Sequence, residues 1–403
     1  MDNQKENQNA AAPQEAKTTP AAPAEKPEAP VEKPVPPTEQ SAVPPAEPAK
    51  PEVQSAPAAP KATAQAAKPA AVKAPAYNLT VSVSPHAHSN ESTRSIMLDV
   101  IIALLPALIG ACVFFGMRSL MLCAVSAAAC VFFEWAYRKV MKLDCTVGDL
   151  SAIVTGLLLA FVCPVTTPYW CIIIGDFFAI IIVKQLFGGI GQNFMNPALA
   201  GRAFMFSWPV IMSTWVVPGT TVAVFGSNAD ATTAATAMSY MHNGLLPDGI
   251  SLMELFIGNA GGCLGETSFL LLLIGGIYLV IRKVITPTIP VAYIATVAVL
   301  TFLFPMGNDN VTWMAYQLFG GGLALGAIFM ATDYVTSPVT KTGQLIYGIA
   351  CGLLTVFIRY FGSYPEGVSY AIIIMNCCVF LIDKIGRPKR FGLVKEAKEG
   401  GAK

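Results

Sequence analysis

The sequence predicts an all-α polytopic membrane protein: ten transmembrane helices as two inverted five-helix repeats, preceded by a disordered Pro/Ala-rich N-terminal extension. Of the 403 residues, 54% are hydrophobic and 13% are charged, which is about half the charged fraction of a soluble domain. Apolar runs of nearly bilayer-spanning length recur from residue 97 onward, and the later runs repeat the register of the earlier ones.

Residues 1–78 differ in composition from the rest of the chain. Sixteen of the 30 prolines lie between positions 13 and 75, interleaved with Ala, Lys, Glu and Gln. Such a segment buries too little apolar surface to offset the entropy of ordering, and it lacks the apolar core of a signal peptide. We therefore predict a disordered cytoplasmic extension over residues 1–78, which either binds a partner or is a plain tail.

Ten apolar runs follow the extension. About 20 apolar residues cross a hydrocarbon core of roughly 30 Å, and several of the runs are shorter than that. The predicted spans are residues 97–117, 119–137, 149–164, 169–184, 197–217, 266–282, 289–304, 318–331, 344–360 and 367–383. They divide into a first membrane repeat within residues 79–217 and a second within residues 266–390, and a tail follows over residues 391–403.

A constant shift in numbering, which carries Gly156 onto Gly326, superposes the first half of the membrane part on the second. It aligns the Val-Thr-Thr-Pro that ends at Pro168 with the Val-Thr-Ser-Pro that ends at Pro338. The same shift carries spans one, two, three and five onto spans six, seven, eight and ten. Because each repeat has an odd number of helices, the second copy is predicted to be inverted, with a functional site near the midplane on broken helices.

Positive charges predict the orientation of the spans. Residues 218–265 contain no Lys or Arg, and only Arg118 and Arg359 lie near that side. The opposite side carries the N-terminus together with Arg138, Lys139, Lys142, Lys184, Arg282, Lys283, Lys341, Lys384, Arg387, Lys389 and Arg390. By the positive-inside rule, both termini are cytoplasmic and the polar interval 218–265 is an extracytoplasmic loop.

Acidic residues in or at the ends of the spans suggest an ion pathway. Asp333 lies at the end of span eight, where its insertion costs about 3 kcal/mol. It either binds or gates an exported ion, or it caps a half-helix at the water boundary. Asp176 in span four and Glu134 in span two carry a similar cost without the support of the repeat.

Two further segments are chemically distinctive. Asn193, Asn196 and Arg202 surround the start of span five, where amides and a guanidinium could pair with the carbonyls of a flat heterocycle. The alternative is a tight helix entry with Arg202 extending to the cytoplasmic surface. The Thr/Ala-rich heptad from Asp230 to Thr236 lies in the polar interval, where it offers an accessible hydroxyl or forms a plain solvated loop.

Composition also excludes several functions. The ten cysteines include no Cys-x-x-Cys pair and no spacing typical of iron–sulfur ligands. We therefore interpret them as small hydrophobic residues. A net charge of +1 argues against a nucleic-acid partner. We predict neither a metal site nor a catalytic residue that acts alone.

Residues 82–390 resemble the D subunit of the Rnf electron transport complexes and, more distantly, the B subunit of the Na⁺-translocating NADH:quinone reductases. The resemblance rests on six segments of this chain, at residues 84–86, 97–106, 192–204, 230–236, 331–338 and 366–376. It implies that a flavin transferase attaches FMN through its phosphate to Thr236, within a motif formed by Asp230, Thr233, Ala235 and Thr236. It also implies a second, non-covalent riboflavin, for which Asn193, Asn196 and Arg202 are the candidate lining.

The resemblance further implies a role in electron relay. Reduced ferredoxin supplies electrons, an FMN-carrying G subunit passes them to the flavin on Thr236, and riboflavin returns them toward NAD⁺ reduction, coupled to export of Na⁺ or H⁺. The membrane-embedded A and E subunits are further expected partners. The alternatives are the quinone-reductase relative, a channel or carrier of similar fold in which Thr236 is never modified, and a purely structural membrane protein.

Overall fold

The computed structural model describes residues 91–385 apart from positions 221, 226–234, 248, 267 and 308. The described residues belong to one compact unit, and every regular element among them is a helix. The predicted extension over residues 1–78, the tail over 391–403 and the motif positions Asp230 and Thr233 lie outside the described residues.

Five helices form the first half of the membrane part. They are α1 (Thr93–Phe115), α2 (Met117–Val140), α3 (Ser151–Phe161), α4 (Tyr169–Phe177) and α5 (Pro197–Met205), and α4 continues as a π-helix over Phe178–Gln185. Local sequence sets several of the ends. Gly116 adopts a φ of 79° between α1 and α2, and Asn196 caps α5 by accepting hydrogen bonds from two backbone N–H groups.

Three short helices follow: α6 (Pro209–Met212), α7 (Ala237–His242) and α8 (Leu252–Ile257). The prediction of one continuous span over residues 197–217 is wrong, because α5 ends at Met205 and a new helix begins at Pro209. Proline lacks the N–H that would continue α5 and its ring clashes with the preceding turn. The polar interval also contains helices, and a reciprocal Ser251–Glu254 capping box begins α8.

Six helices form the second half. They are α9 (Phe269–Ile281), α10 (Thr288–Leu303), α11 (Asn310–Phe319), α12 (Leu323–Leu325), α13 (Lys341–Phe361) and α14 (Val368–Ile385), and α12 continues as a π-helix over Gly326–Met330. The axes of α11 and the α12 segment differ by 60°. Gly321 and Gly322 each adopt a φ of 67° at this break, so the predicted span 318–331 begins inside one helix and ends in another.

The prediction of an all-helical membrane protein is confirmed, and the candidate spans are consistent with a polytopic one, but ten spans are not confirmed. Among the described residues, α1, α2, α13 and α14 are long and apolar enough to cross a membrane, and the bent α11–α12 pair makes a fifth candidate. Helices such as α3 and α9 are apolar but shorter. By length and composition alone, four or five helices of the described residues qualify as spans, and the prediction of ten is neither confirmed nor contradicted.

Small residues let the helices pack closely. A Cβ atom on Gly156 of α3 would lie 2.8 Å from the backbone of Ala127 on α2, and one on Gly275 of α9 would overlap the carbonyl oxygen of Ala103 on α1. Close backbone approach of this kind drives helix association where water supplies no hydrophobic force. It holds α3 on α2 and α9 on α1.

Two buried arginines satisfy carbonyl groups at the breaks between helices. The Arg118 side chain, on α2, donates to the carbonyls of Val165 (2.8 Å) and Ala223 (2.7 Å). Arg359, on α13 and only 1% exposed, donates to the carbonyls of Gln317 (2.6 Å) and Gly320 (3.2 Å) at the end of α11. These carbonyls have no helical partner, so the guanidinium groups supply the hydrogen bonds that water cannot.

We expect Arg359→Ala to lower the free energy of unfolding by roughly 3 kcal/mol or more, because each buried carbonyl left unpaired costs about 1–3 kcal/mol. Arg359→Lys should restore only part of this loss, since an ammonium lacks the planar fork of donors. Thermal unfolding in detergent measures both. Lys341→Ala, at an exposed residue that begins the same helix, is the control, and equal melting of Arg359→Ala and Lys341→Ala would contradict the assigned role.

Candidate functional site

Two cavities of ligand size flank α5. The threonine cavity, of about 300 Å³, is lined by Thr236, Arg202, Tyr364 and Glu366 together with further aromatic and hydroxyl side chains, among them Phe206, Ser213, Ser239, Ser369 and Tyr370. The asparagine cavity, of about 340 Å³, includes Asn193, Asn196, Lys184 and Asp333 in a mostly apolar lining. Both volumes lie at the lower end of the usual range for small-molecule sites.

Thr236 is held at the start of α7. Its hydroxyl oxygen accepts a hydrogen bond from the Ser239 backbone N–H (3.2 Å), and its carbonyl accepts one from the Ser239 hydroxyl (2.7 Å). The residue is only 8% exposed, so the expectation of a freely accessible hydroxyl is wrong. Ala235 beside it is exposed. The Thr236 side chain lines the threonine cavity, because capping of α7 turns it toward the protein.

Aromatic rings form one wall of the threonine cavity. The ring centroids of Tyr364 and Tyr370 are 5.1 Å apart, and those of Phe206 and Tyr364 are 5.5 Å apart. The Arg202 guanidinium lies 5.4 Å from the Phe206 ring centroid. Rings at these spacings provide a surface on which a planar molecule can pack. Sequence reasoning missed this wall, although Tyr370 lies within the segment 366–376 that carries the family resemblance and Tyr364 lies two positions before it.

Arg202 is the charged centre of the threonine cavity. Its guanidinium donates to Glu266 (3.3 Å), to Glu366 and to the hydroxyl of Ser369 (2.8 Å). Arg202 is 2% exposed, so the alternative in which it extends to the cytoplasmic surface is wrong. The two glutamates lie 64 and 164 residues away along the chain, and no local pattern connects them to Arg202.

The acidic group around Arg202 also includes a thiol. Ligand atoms of Cys263, Glu266 and Glu366 all lie within 4.8 Å of one another, a spacing that could hold a metal ion. The Arg202 guanidinium, however, lies 3.6 Å from the Cys263 sulfur and bonds both carboxylates. A metal cation there would compete with a guanidinium for the same oxygen atoms, so the group is better described as an arginine clamped by two carboxylates.

The predicted lining of Asn193, Asn196 and Arg202 does not form one site. Asn193 and Asn196 lie in the asparagine cavity, while Arg202 lies in the threonine cavity. Asn196 and Arg202 are separated by six positions on one helix, which corresponds to about 9 Å along its axis. The three residues are close in sequence, but a separation of six positions along a helix places Arg202 at a different height from the two asparagines.

The asparagine cavity unites Asn193 and Asn196 with Asp333, from the other half of the chain. Asn196 is occupied by the protein itself, since its Oδ1 accepts from the Ala198 N–H (3.0 Å) and its Nδ2 donates to the Met330 carbonyl (3.3 Å). Asn193 donates to the Met195 carbonyl (3.0 Å). Its side chain also bonds the Asp333 carboxyl, so the amide and the acid lie together in the cavity wall.

Asp333 follows the π-helix that ends at Met330 and accepts a hydrogen bond from the Thr336 hydroxyl (3.0 Å). The side chain is part of the cavity wall. Its carboxyl oxygens are the acidic ligands that this wall offers to a cation.

Lys184 is a wall residue that sequence reasoning treated only as a cytoplasmic charge. It is 3% exposed, and its ammonium group lies 2.8 Å from Glu134 and 2.7 Å from the Ser151 hydroxyl. The π-helix over Phe178–Gln185 carries it into this position, and such segments are frequent at functional sites. This ion pair explains how the acidic Glu134 can lie within predicted span two, because Lys184 neutralises its charge.

Comparisons with known proteins agree on one family. The family model described as NQR2, RnfD, RnfE matches residues 80–392. The D subunit of the Na⁺-translocating ferredoxin:NAD⁺ oxidoreductase complex of Acetobacterium woodii is 47% identical over 329 residues, which cover 81% of this chain and 99% of the relative. The D subunit of the proton-translocating ferredoxin:NAD⁺ oxidoreductase complex of Clostridium ljungdahlii is 41% identical over 323 residues, covering 78% and 96%. The D subunit of the ion-translocating oxidoreductase complex of Stutzerimonas stutzeri is 38% identical over 327 residues, covering 75% and 92%.

We expect Arg202→Leu to destabilise the protein by about 3–5 kcal/mol, because it leaves two carboxylates buried without their counter-charge. Adding Glu266→Gln and Glu366→Gln should recover most of that loss, since no buried charge then lacks a partner. Midpoints of chemical unfolding in detergent measure the two effects.

Arg282→Leu is the matched control. The Arg282 side chain, which pairs with Asp99, is 52% exposed, and such a surface ion pair contributes about 1 kcal/mol at most to stability. If Arg202→Leu and Arg282→Leu unfolded at the same denaturant concentration, the ion pairs of Arg202 with Glu266 and Glu366 would contribute nothing to stability.

Proposed function

The chain belongs to the NQR2, RnfD, RnfE family, and from this membership we propose that it is the membrane flavoprotein subunit of an Rnf-type ferredoxin:NAD⁺ oxidoreductase that exports Na⁺ or H⁺. Three relatives between 38% and 47% identical are named as the D subunit of such ion-translocating complexes. The protein acts within an assembly, and the G, A and E subunits of the complex are its proposed neighbours.

The observation that best supports a flavin is the position of Thr236 on the wall of the threonine cavity. The Thr236 hydroxyl, to which the FMN phosphate could be attached, lies beside a cavity of about 300 Å³. Tyr364, Tyr370 and Phe206 offer a surface for the ring, and the hydroxyls of Ser213 and Ser239 offer polar contacts. These residues fit an FMN attached at Thr236 and bound in the adjacent space.

Burial of Thr236 constrains the order of events. A flavin transferase needs the hydroxyl within reach, and in the folded chain that hydroxyl caps α7 and is 8% exposed. We infer that the transferase acts before α7 packs, or during a local opening of this segment. The cofactor would then become enclosed as the cap forms.

The asparagine cavity fits the proposed riboflavin. It combines a mostly apolar lining with the Asn193 amide, the Asp333 carboxyl and the Lys184 ammonium group, the arrangement that small-molecule sites commonly show. Arg202 has no part in this lining, and Asn196 supports it by beginning α5.

The two flavins supply electron transfer, and the protein supplies their placement. Asn196, at the start of α5, lines one cavity, and Arg202, nearly two turns later, lines the other. A cofactor in each cavity would therefore contact the same short helix.

We also propose the full architecture of ten helices in two inverted repeats, with both termini cytoplasmic. The order of helices supports the repeat, since the shift that carries Gly156 onto Gly326 also carries α1, α2 and α5 onto α9, α10 and α14. It carries the break after α3 onto the break after the π-helix at Gly326–Met330. Inversion would place the two breaks on opposite sides of the membrane midplane.

The exported ion is Na⁺ or H⁺. One relative is named as Na⁺-translocating and another as proton-translocating. Asp333 is the proposed pathway residue. Its carboxyl lies in the cavity wall, bonded by the Asn193 side chain, where it offers oxygen ligands to either ion.

We expect the purified protein, made with a flavin transferase, to carry one FMN on Thr236 and Thr236→Ala to carry none. Intact mass decides this. Thr214→Ala is the control, because it removes a hydroxyl that bonds to Val210 within its own segment. An unmodified wild-type protein, from cells that flavinylate another target, would favour a channel or carrier.

The two proposed roles of the asparagine cavity should separate in two variants. Asn193→Ala should lower the non-covalent riboflavin released on denaturation by at least fivefold, because the ring loses its amide contact. Asp333→Asn should retain that riboflavin and lose coupled ion export in the assembled complex. Full riboflavin in the first variant, or unimpaired export in the second, would remove that residue from its role.

A further inference from the structure

A buried acid in the first half of the chain has no counter-charge. Asp176 on α4 is 0% exposed, and one of its carboxylate oxygens, Oδ2, has no hydrogen-bond partner among the described residues. It lies near the middle of the helical segment that runs from Tyr169 to Gln185. An ionised carboxylate in this position, without a partner, is very costly.

The nearest polar groups come from two neighbouring helices. The Ser126 hydroxyl on α2 lies 2.7 Å from Asp176 Oδ1 and 2.8 Å from the carbonyl oxygen of Gly156 on α3. The Cys130 thiol, one turn further along α2, lies 3.2 Å from the same Oδ1. Ser126, Cys130 and Asp176 are each 0% exposed.

The donors in this group do not neutralise an ionised Asp176. The Ser126 hydroxyl and the Cys130 thiol can each donate one hydrogen to Oδ1, whereas Oδ2 has no partner among the described residues. Both donors are uncharged, so the negative charge of a carboxylate would stay uncompensated. One positive charge beside these oxygen atoms, either a proton or a metal cation, balances it.

Charged residues of the neighbouring helices are already engaged. Lys184, on the π-helix that continues α4, pairs with Glu134 of α2, and Arg202 of α5 pairs with Glu266 and Glu366. Among the described residues, therefore, no Lys or Arg forms an ion pair with Asp176. The acid must obtain its neutralising charge from a bound ion.

A line of buried polar groups connects Asp176 with one end of α2. Ser126, Cys130, Glu134 and Arg138 follow at intervals of four positions and share one face of the helix, and all four are buried. Glu134 accepts from Thr146 (2.7 Å) and from Lys184, whose other contact is Ser151.

This line also meets the asparagine cavity. Lys184, Ser151 and Thr155 are wall residues of that cavity, and Thr155 immediately precedes Gly156, whose carbonyl belongs to the Asp176 group. The carbonyl group beside Asp176 therefore belongs to the residue that follows a wall residue of the cavity.

We propose that Asp176, the Ser126 hydroxyl and the Gly156 carbonyl form a binding site for one monovalent cation, H⁺ or Na⁺, within the membrane part and on the route of ion export. The ligand atoms are all oxygen, which suits both ions. The inference rests on the proposed ion-exporting function and adds to it a second site, distinct from Asp333. Glu134 and Lys184 form a neutral pair between this site and the end of α2.

The test uses the assembled complex in proteoliposomes, with ions exported per NADH formed as the readout. Asp176→Asn should lower this ratio at least fivefold while FMN content stays that of the wild type. Ser126→Ala keeps the acid and removes one ligand. For a sodium site it should raise the Na⁺ concentration for half-maximal export severalfold, and for a proton site it should shift the pH dependence of export without a Na⁺ effect.

The matched control is Thr301→Val, which removes a buried hydroxyl of α10 that bonds to carbonyls of its own helix. Export ratios in Asp176→Asn and Ser126→Ala equal to that of Thr301→Val would overturn the site. This result would leave the proposed function intact, whereas a wild-type complex without ferredoxin:NAD⁺ activity would overturn the proposed function alone.

Infrared difference spectra of wild type against the Asp176 variant decide the occupant independently of turnover. A protonated-carboxyl carbonyl band that is lost in Asp176→Asn shows a proton. A carboxylate band that shifts on addition of Na⁺ shows sodium. A carboxylate band insensitive to both pH and Na⁺ shows an unoccupied acid and overturns the proposal. Should Asp176→Asn fail to assemble, the same spectra of Ser126→Ala against wild type decide, because the shift of the Asp176 band is then the readout.

Discussion

A helix can be broken inside a membrane only where other groups satisfy the carbonyls that the break releases, and most of this structure depends on two arginines that do so. Arg118 reaches from α2 to the segment after α3, and Arg359 reaches from α13 to the end of α11. Arg359 also donates to the Glu366 carbonyl (3.0 Å), and so fixes a wall of the threonine cavity. The cost of burying a guanidinium is offset because each one makes several charge-assisted bonds.

These breaks create room for ligands, and α5 organises that room. Its first turn is held by Asn196, whose amide also bonds the Met330 carbonyl of the other half. Its far end carries Arg202 into the threonine cavity. Gly201, between them, lies so close to α4 that a Cβ atom would be 3.0 Å from the Gly175 carbonyl oxygen. A short helix packed this tightly can hold two cavities at a constant separation.

Several charges inside the membrane part lie beside an opposite charge. Lys184 balances Glu134, and Arg202 offsets part of the charge of the two glutamates beside it. Each pairing lowers the penalty that a single buried charge would carry. Asp176 is different, because the hydroxyl and thiol beside it cannot neutralise it. A protein that moves ions needs at least one position where a mobile cation completes the charge balance, and this acid satisfies that requirement without any change in its surroundings.

The sequence by itself determined the helical membrane class, because apolar composition and run length act locally and survive any arrangement of the helices. It also determined the breaks near Pro168 and Pro338, since proline and glycine restrict the backbone wherever they occur. Only the tertiary structure decided which side chains meet. Arg202 finds Glu266 and Glu366 far along the chain, Thr236 turns inward to cap α7, and Lys184 is buried instead of facing the cytoplasm. Hydropathy and spacing describe neighbours along one helix, whereas partners across helices are set by packing and by the need to pair every buried charge.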